Sequence, residues 1–596
     1  MGFFDRLWRN VIFISAALRT LRRLRNNTPN STFTTADYIR EWAAQRPNHV
    51  AIYFENRTVT YKEWDNAANR YARWAVDHGV KKGDVVALLM ENRPEFLFAW
   101  VGLARIGAIS ALINTNLHSQ TLAHCLITAK PKHLILGAEC AENYISAAAH
   151  VNFHLPVWVE GGALDGARDL SSEISAQSSD SLPYSIAGGF TAKETCFYIF
   201  TSGTTGRPKA ARLTHYRVIN IMNAFSAAAG AKSSDRIYIA MPLYHSAGGV
   251  AGLGTTLTVG GSIIIRRQFS VAAFWDDCVD YEATMFQYIG EICRYLLNYP
   301  QTTSERRHKI RVCVGNGLRP DIWQDFKERF RIPKILEFYG ATEGNVLLFN
   351  FDGKPGAIGR VPGFLRQRYR FALVKFDVEA ELPIRDENGF CIEADIGEVG
   401  ECLGEINEQP RSTFEGYSSE DQTQDKKLTH VFKPGDAWFS TGDLMTKDKG
   451  GYFYFVDRVG DTFRWKGENV STSEVSEVLT VFDGVKEANV YGVHIPHTDG
   501  RAGMAALVVE DGFDLAAFYE YISTELPSFS QPLFLRLQTE IHVTETFKQR
   551  KVDLVKQGFD PSRIADPLYF LHLQKSGYVP MDDTLFKQIC AGAFRF

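Results

Sequence analysis

The amino-terminal part of the chain alternates helix-like segments with short apolar runs. The pattern predicts a helix over 36–45, a hairpin over 51–60, a helix that starts at Tyr61, a strand over 85–90 and a helix opened by Pro94. Strands separated by helices of this length predict an α/β fold with a doubly wound, mostly parallel sheet. Nucleotides bind such sheets at the carboxyl ends of the strands.

The carboxyl-terminal part shows a similar alternation over shorter segments. Strands are predicted over 488–493 and 504–509 and a helix over 515–526, which indicates a compact α+β unit. At 596 residues the chain is too long for a single hydrophobic core. We therefore expect a large, lobed amino-terminal domain and a smaller carboxyl-terminal domain.

The first 25 residues carry an apolar stripe beside several arginines. The stripe recurs at spacings of three and four, as an amphipathic helix requires, through Phe4, Leu7, Val11, Ile14, Leu18 and Leu21. The apolar run is too short for a transmembrane span, has no clear cleavage site for a signal peptide, and has Arg6 where myristoylation requires Ser or Thr. Two interpretations stay open for this segment: an interfacial helix in the lipid headgroup region, or a structural helix packed on the large domain.

Composition and charge narrow the classes of partner. The net charge is −4, and outside the amino terminus Lys and Arg are mixed with Asp and Glu, so we expect no nucleic-acid partner. The nine cysteines are scattered without paired spacing, which argues against zinc or a disulfide framework and favours a reducing compartment. The oligomeric state stays open, with a homodimer among the options.

A run of small hydroxylated residues and glycines follows the apolar stretch 196–200. The run consists of Thr201, Ser202, Gly203, Thr204, Thr205 and Gly206 and is followed by Lys209. Glycines let backbone N–H groups approach an anion, hydroxyls add donors, and the lysine adds a point charge. A Walker-type loop is excluded, because the two glycines are three residues apart and Ala210 follows the lysine. A phosphate-binding loop is therefore predicted, with an ordinary surface turn as the alternative.

The segment 198–209 resembles the phosphate-binding signature of the adenylate-forming enzymes, the superfamily of acyl-CoA synthetases, peptide-synthetase adenylation domains and beetle luciferases. Further segments resemble this superfamily in the expected order from about residue 35 to 590. The resemblance implies that the loop holds the β- and γ-phosphates of ATP and that a mobile carboxyl-terminal domain rotates between two orientations. The expected segments are an amino-terminal membrane-associating segment (1–30), a large ATP- and acyl-binding domain (31–459) and a small mobile domain (460–596).

Two glycine-rich segments resemble the adenylate-binding part of these enzymes. The first resembles the adenine-contacting turn and contains Gly315, Asn316 and Gly317. In the second, 337–345, the resemblance assigns Tyr339 and Gly340 to the adenylate, with Tyr339 stacked on adenine, and Thr342 to the α-phosphate. It assigns Glu343 to Mg²⁺, a hard cation that prefers a carboxylate together with substrate phosphates.

Two charged residues farther along the chain resemble the ribose site. A carboxylate is suited to accept both ribose hydroxyls, and the resemblance gives this role to Asp443, with Arg458 nearby. A helix cap would be the usual role of a lone aspartate after a turn.

The segment 241–249 resembles the part of these enzymes that lines the acyl pocket. Its pocket residues are His245, Ser246, Ala247 and Gly248, and we assign no proton transfer to His245. Residues 246–256 lack a carboxylate, whereas amino-acid-activating relatives have an aspartate here that pairs with the substrate ammonium. We therefore expect an apolar acid as substrate, and we expect the many small side chains to leave room for a long chain.

The segment after Arg458 resembles the fatty acid transport protein and very-long-chain acyl-CoA synthetase branch in particular. In this resemblance Gly460 lies at the hinge and Gly467 lines the tunnel for the pantetheine of coenzyme A. Lys548 reaches the carboxylate and the α-phosphate, where a cation offsets charge that develops during adenylation. A surface basic cluster with Arg550 and Lys551 is the alternative for that lysine.

These features together predict an ATP-dependent long- or very-long-chain acyl-CoA synthetase that uses ATP, Mg²⁺ and coenzyme A. The acid would first form an acyl-adenylate and then a thioester, and the activity could be coupled to fatty acid uptake. Two alternatives stay open: a CoA ligase for another apolar acid, such as a bile acid, steroid or aromatic acid, and a lipid-uptake protein with little catalysis. We expect a peripheral protein on the cytoplasmic face of a membrane.

Overall fold

The structure is a computed structural model that describes residues 3–25, 27–202, 208–378, 380–410, 412–466, 468–498, 500–540, 551–572 and 577–594. The chain divides into two compact units. The first unit contains Met1–Arg370, Gly404–Lys427 and Gly450–Tyr452, and the second contains Phe371–Leu403, Leu428–Lys449 and Phe453–Phe596. The boundary predicted at 459/460 falls inside the second unit and stays a prediction.

Fourteen of the described α-helices belong to the first unit. They are α1 (Phe3–Leu24), α2 (Asp37–Gln45), α3 (Tyr61–Asp77), α4 (Pro94–Arg105), α5 (Ser119–Ala129), α6 (Ala141–Ala148), α7 (Leu170–Ala176), α8 (Tyr184–Ala187), α9 (His215–Ala229), α10 (Leu253–Leu257), α11 (Phe274–Asp280), α12 (Gly290–Asn298), α13 (Pro320–Arg329) and α14 (Glu420–Gln424). The second unit contains α15 (Thr472–Val481), α16 (Leu515–Glu525), α17 (Val552–Gln557) and α18 (Asp583–Cys590).

The strands of the first unit are β1 (Val50–Phe54), β2 (Arg57–Thr60), β3 (Val85–Leu89), β4 (Ile109–Leu112), β5 (His133–Gly137), β6 (Val157–Glu160), β7 (Arg168–Asp169), β8 (Thr195–Ser202), β9 (Pro208–Thr214), β10 (Arg236–Ile239), β11 (Ser262–Ile265), β12 (Met285–Ile289), β13 (Val312–Asn316), β14 (Ile335–Gly340), β15 (Leu347–Asn350) and β16 (Gly359–Arg360). The later strands are β17 (Phe371–Asp377), β18 (Leu382–Pro383), β19 (Gly400–Ile406), β20 (Lys427–Thr429), β21 (Ala437–Lys447), β22 (Tyr452–Arg458), β23 (Phe463–Trp465), β24 (Glu468–Val470), β25 (Val485–Val493), β26 (Ala502–Val509), β27 (Phe534–Gln538), β28 (Leu568–His572) and β29 (Gly577–Pro580).

Two large sheets with helical crossovers form the first unit. One has the order β7-β6-β5-β3-β4-β8-β9 and is parallel except for β9, which pairs antiparallel with β8. The other has the order β15-β14-β13-β12-β10-β11-β1-β2 and is parallel except for its two edge strands. The inner strands are almost wholly buried, as continuous apolar runs in parallel sheets require. The predicted α/β fold with mostly parallel sheets is confirmed.

Local sequence signals account for the boundaries of the early elements. Helix α3 begins at Tyr61 because Thr60 and Glu63 form a capping box, in which each side chain accepts the other residue's backbone N–H. Pro94 is the first residue of α4, where its missing N–H removes no helical hydrogen bond. The predicted strand 85–90 corresponds to β3, and the predicted hairpin 51–60 corresponds to the antiparallel pair β1 and β2.

The second unit combines sheets with short helices. Its strands β25 to β29 lie side by side in sequence order, and a hydrophobic core that includes Phe518, Ile522 and Phe534 packs against them. A further sheet contains strands in the order β22-β21-β19-β17-β18. The strands predicted at 488–493 and 504–509 lie in β25 and β26, and the predicted helix at 515–526 corresponds to α16. The expected smaller α+β part is thereby confirmed.

The amino-terminal helix α1 packs on the first unit with one face and exposes the other. Phe13 and Ala16 are buried in the main hydrophobic core, while Arg9 forms an ion pair with Asp352 at 3.1 Å. The opposite face presents side chains that are 41 to 66% exposed, namely Leu7, Trp8, Val11, Ile14, Leu18 and Leu21. The helix therefore packs on the domain, as the interpretation of a structural helix expects. It also leaves the apolar stripe exposed, as the interpretation of an interfacial helix requires. Within the described part of the chain, no helix is long and apolar enough to cross a membrane.

Replacement of Thr60 by Ala tests the capping box of α3. The change removes the hydroxyl that accepts the Glu63 N–H, so we expect the first unit to lose about 1 kcal/mol of stability. Urea unfolding of the full chain measures this loss. Thr60→Ser retains the hydroxyl and is the matched control, expected near wild type; equal loss in both variants would contradict the capping role.

Candidate active site

The predicted phosphate loop connects the two strands of an antiparallel hairpin at the edge of the seven-stranded sheet. The predicted strand 196–200 lies within β8, which continues through Thr201 and Ser202 before the loop. Across the hairpin, Thr201 pairs with Lys209 on β9. Lys209 is buried at 6% exposure, and its ammonium group lies 5.7 Å from the centre of the Tyr417 ring. Four predicted loop residues lie outside the described residues, so their roles stay predictions: Gly203, Thr204, Thr205 and Gly206.

A second hairpin, between β14 and β15, carries Thr342 and Glu343 at its turn. The guanidinium group of Arg217 on α9 donates a hydrogen bond to the carbonyl oxygen of Thr342 at 2.9 Å and another to that of Gly344. Burial lowers the pKa of Arg217, while the nearby carboxylates of Glu415 and Glu343 act in the opposite direction. A cation on α9 therefore fixes the backbone on both sides of Glu343.

The carboxylate of Glu343 accepts a hydrogen bond from the hydroxyl of Tyr417. The Tyr417 Oη and Glu343 Oε1 atoms lie 2.8 Å apart, and Tyr417 is only 3% exposed. Burial and the neighbouring Glu343 raise the pKa of Tyr417, so the phenol stays neutral and acts as a donor. The Thr201 side chain lies close enough to act on the pKa of Tyr417 in the opposite direction. Tyr417 thus lies near both the end of β8 and Glu343.

The predicted acyl segment contacts the Thr342 turn through a pair of hydroxyl groups. Ser246 Oγ and Thr342 Oγ1 lie 2.7 Å apart. His245 precedes a π-helical turn over Ala247–Gly252, and its ring Nδ1 accepts the backbone N–H of Ala247 at 3.2 Å. The side-chain amide of Gln287 donates to the carbonyl of Ala247. The two regions that the sequence assigned to acid and to phosphate are therefore in direct contact.

The expectation that the small residues of this segment leave room for a long chain is wrong for its glycines. A Cβ atom would meet protein atoms at 2.3 Å on Gly248, at 2.0 Å on Gly249 and at 2.2 Å on Gly254. The filling atoms are backbone atoms of Pro242 and Leu243, and the side chain of Met222. Glycine is required at these positions because neighbouring segments of the protein fill the space that a side chain would occupy. These glycines therefore carry no information about the length of a bound acyl chain.

The predicted adenine turn follows β13 and is attached to β14 by a buried carboxyl group. Gly315 lies at the end of β13, where a Cβ would meet the carbonyl oxygen of Tyr288 at 2.2 Å, and Asn316 and Gly317 are exposed. The next residue, Leu318, donates its N–H to Glu337 Oε1 at 3.2 Å, and the Tyr288 hydroxyl contacts the other oxygen. Burial raises the pKa of Glu337 from 4.5 to about 8.

Tyr339 and Gly340 continue β14 beyond Glu337. Tyr339 is partly exposed and Gly340 is exposed, and they pair with Leu348 and Leu347 of β15. The two residues predicted for the adenylate therefore lie on the same strand as Glu337, close to the turn after β13 in sheet order.

The predicted ribose residues lie in the second unit. Asp443 on β21 is opposite Arg458 at the end of β22, and Arg458 Nε lies 3.7 Å from Asp443 Oδ1. Asp443 is 9% exposed, and its backbone N–H donates to Thr441 Oγ1 at 3.1 Å. The predicted proximity of these two side chains is thus present in the structure.

The predicted hinge residue Gly460 follows β22 in an open turn. Its φ is +88°, and a Cβ at this position would meet no atom within 4 Å. On one side of it, the buried Asp457 accepts the backbone N–H of Thr472 at 2.7 Å. On the other, Lys551 lies 3.6 Å from Asp461 and also contacts the Thr472 hydroxyl. Gly467 and Lys548 lie outside the described residues, so their roles stay predictions.

Three site residues escaped the sequence reasoning. Arg217 and Tyr417 act through contacts with residues 125 and 74 positions away, and neither stands in a segment that the sequence analysis used. Glu337 opens the segment 337–345, but nothing in its immediate neighbours indicates that its carboxyl group is buried. A glycine directly before Tyr417 was a weak signal of a fixed turn there.

Comparison with known proteins gives a consistent family match. The model of the AMP-binding enzyme family matches residues 39–401. Long-chain fatty acid transport protein 6 of Mus musculus is 40% identical over 561 residues, which cover 93% of this chain and 90% of that protein. Long-chain fatty acid transport protein 2 of Rattus norvegicus is 41% identical, with 92% and 89% of the two chains covered.

Solved structures share the fold at lower sequence identity. The crystal structure of the anthranilate CoA ligase AuaEII in complex with anthranoyl-AMP superposes with a TM-score of 0.75. The two chains are 22% identical, and the match covers 88% of this chain and 96% of the other. This likeness supports the large amino-terminal part and the smaller carboxyl-terminal part described above.

Glu337→Gln tests the buried carboxyl group. Its folded-state pKa is about 8 against an ordinary 4.5, so between these values the folded chain holds a proton that the unfolded chain has lost. The free energy of unfolding therefore falls as the pH rises from about 4.5 to about 8. Below about pH 4.5 the carboxyl group is protonated in both states, so it does not lower the stability there. Gln retains an oxygen for the Leu318 N–H and mimics the neutral acid, so the variant should gain on the order of 3 kcal/mol relative to wild type at pH 7. Urea unfolding at pH 5, 7 and 8.5 measures the difference, and a constant difference across pH would contradict the assignment.

Proposed function

The chain belongs to the AMP-binding enzymes and, within them, to the long-chain fatty acid transport proteins, and on this premise we propose that it is an ATP-dependent, AMP-forming ligase that joins a long-chain fatty acid to coenzyme A. The observation that carries the proposal is the contact of 2.7 Å between Ser246 and Thr342. It joins the segment assigned to the acid with the turn assigned to the α-phosphate, which are the two groups that must react.

The proposed reaction has two steps. A carboxylate oxygen of the acid attacks the α-phosphorus of ATP, and pyrophosphate leaves with the electrons of the broken P–O bond. The thiol sulfur of coenzyme A then attacks the acyl carbon, and AMP leaves. Neither step needs a protein nucleophile, so catalysis depends on positioning and on electrostatic stabilisation.

Different residues of the first unit are assigned to different parts of the ATP molecule. We assign the β- and γ-phosphates to the hairpin between Thr201 and Lys209, the α-phosphate to Thr342, and the adenine to Tyr339 and the turn after Gly315. Lys209 is suited to its role because its ammonium group contacts an aromatic face instead of a carboxylate among the described residues. For Asp443 we keep the assignment to the ribose, because its carboxylate can accept two hydroxyls.

Glu343 is suited to hold Mg²⁺ together with the phosphates. Its carboxylate is partly exposed at the turn of the hairpin, one oxygen accepts the Tyr417 hydroxyl, and the described residues include no cluster of three or more metal-binding side chains. A single carboxylate plus substrate phosphates is the arrangement that Mg²⁺ commonly takes. When bound, the ion would offset the negative charge of the phosphates.

The acid specificity is tested by AMP release with acids from C8 to C24 and a bile acid, each with and without coenzyme A. We expect fatty acids to support AMP release and a bile acid not to. Preference for the bile acid would favour the alternative of another apolar acid. No acid-dependent ATP–pyrophosphate exchange in folded protein would favour a lipid-uptake protein with little catalysis.

Lys548→Ala tests the assignment of the adenylation cation. Loss of the cation removes stabilisation of the charge on the attacking oxygen and the phosphorus, so acyl-AMP formation should fall by about 100-fold or more. Thioester formation from supplied acyl-AMP should be largely spared. Pyrophosphate exchange and thioester formation measure the two steps, with Lys556→Ala in the described helix α17 as the control. Equal loss of both steps would contradict the role.

Gly467→Leu should give the opposite pattern, because a bulky side chain in the pantetheine tunnel blocks only the second step. The proposed movement of residues 460–596 about Gly460 connects the two results. Gly460 is suited to a hinge, because its φ is +88° and a glycine takes up other backbone conformations at little cost.

Membrane association through α1 forms part of the proposal. The exposed stripe follows a spacing of four and three residues, and at 100° per residue Arg22 lies on the same outward face of α1. Arg25 follows the helix directly and is exposed as well. An anionic lipid surface suits both features, because acyl chains accept the apolar side chains and headgroups accept the arginines. A second copy of the helix would bring like charges together. The helix would thus hold the first unit against a reservoir of fatty acids.

The double variant Leu18→Glu with Leu21→Glu tests this attachment. Both side chains are more than half exposed, so the changes leave the contacts of Phe13 and Arg9 intact, which a deletion of the helix would not. We expect loss of sedimentation with vesicles that contain phosphatidylserine. Ile145→Glu, at an equally exposed apolar residue on α6, is the control. Unchanged sedimentation, or a change in molecular mass without vesicles, would contradict the membrane role.

A further inference from the structure

Tyr417 lies on a segment that is hydrogen-bonded to the strand of Lys209. The backbone N–H of Arg212 donates to Gly416 O at 3.0 Å, and the N–H of Ser418 donates to Ala210 O at 2.9 Å. Gly416 has a φ of +69°, and the Tyr417 N–H donates to the hydroxyl of Thr423 at 2.9 Å. The backbone of Tyr417 is therefore fixed on both sides, and its ring position follows from that of β9.

The side chain of Tyr417 contacts two oppositely charged groups through different parts of the ring. Its hydroxyl donates to Glu343, and its aromatic face lies under the ammonium group of Lys209. Among the described residues, no ion pair within 4.0 Å joins Glu343 to Lys209. The hydroxyl satisfies the carboxylate with a neutral donor, and the negative face of the ring satisfies the cation.

Without the Tyr417 ring, the carboxylate of Glu343 and the ammonium group of Lys209 could form an ion pair with each other. A partly buried carboxylate attracts a nearby ammonium group strongly, because the local dielectric constant is lower than that of water. An ion pair between Glu343 and Lys209 would have to be broken before the lysine could bind phosphate and the carboxylate could bind a metal ion. Any such pair would therefore oppose ATP binding.

We infer that Tyr417 is a positioning residue that keeps Glu343 and Lys209 apart and available for the nucleotide. The inference rests on the proposed function for the roles of these two side chains. Tyr417 makes no contact with the reacting atoms in this assignment. It prepares the site before ATP arrives, so that neither charge has to leave a partner of opposite sign.

Two substitutions separate the functions of the hydroxyl and the ring. Tyr417→Phe retains the ring and removes the donor to Glu343, so ATP affinity in EDTA should stay near wild type while the rate of pyrophosphate exchange falls about tenfold. Tyr417→Leu removes the ring as well, so the ion pair can form and ATP affinity in EDTA should also fall about tenfold. Calorimetry without metal ions measures the affinity independently of catalysis.

Glu343→Gln in the Tyr417→Leu background is the decisive variant. A neutral amide cannot pair with Lys209, so ATP affinity in EDTA should return towards wild type. Absence of this rescue would overturn the inference, as would equal affinity in the wild type and Tyr417→Leu. Wild-type protein that binds ATP but shows no exchange with any acid would overturn the ligase proposal alone, because the affinity cycle needs no catalysis.

Tyr238→Phe is the matched control for the loss of a tyrosine hydroxyl. Tyr238 is fully buried on β10, and its hydroxyl donates to the carboxylate of Asp277 at 3.0 Å. We expect this variant to lose stability in urea without a change in ATP affinity or in the exchange rate. If Tyr417→Phe showed the same pattern as this control, its role would be structural and the inference would be wrong.

Discussion

The turn that carries Thr342 and Glu343 depends on one cation beneath it. Arg217 reaches from α9 to the carbonyl oxygens of Thr342 and Gly344 through its terminal nitrogen, while its buried Nε atom has no hydrogen-bond partner among the described residues. A charge in that position is costly unless hydrogen bonds and nearby carboxylates compensate it. The turn supplies the two carbonyl oxygens and Glu343, and Glu415 supplies a second carboxylate. The hairpin cannot change its conformation there without leaving the guanidinium group unpaired. The contacts of Ser246 and Tyr417 with the turn presuppose this arrangement.

The sequence could predict what depends on neighbours along the chain. Helix α3 begins at Tyr61 because its cap lies within four residues, and β8 ends near the glycines because the apolar run stops there. Asp443 and Arg458 were placed together correctly because a hairpin of ordinary length separates them. Arg217 and Tyr417 could not be identified in this way, because their partners are brought close only when distant strands and helices assemble.

In the acyl segment, a local pattern suggests a function but has a structural cause. Gly249 and Gly254 suggested free space, yet the backbone of Leu243 and the side chain of Met222 fill it. A glycine records only that some atom comes close, and the sequence does not say whether that atom belongs to a ligand or to the protein. The amino-terminal helix shows a related ambiguity. Its buried Phe13 and its exposed Leu18 belong to one amphipathic pattern, but the core of the first unit covers only the face of Phe13.

Strand β9 closes the seven-stranded sheet, so one of its sides has no neighbouring strand in that sheet. Such edges invite pairing with another chain, and folded proteins commonly cover them. Here the residues around Tyr417 occupy the edge by hydrogen-bonding Ala210 and Arg212. Conditions that detach this segment would therefore expose an unpaired β-edge, so the contacts that fix Tyr417 also protect the chain against association through this edge.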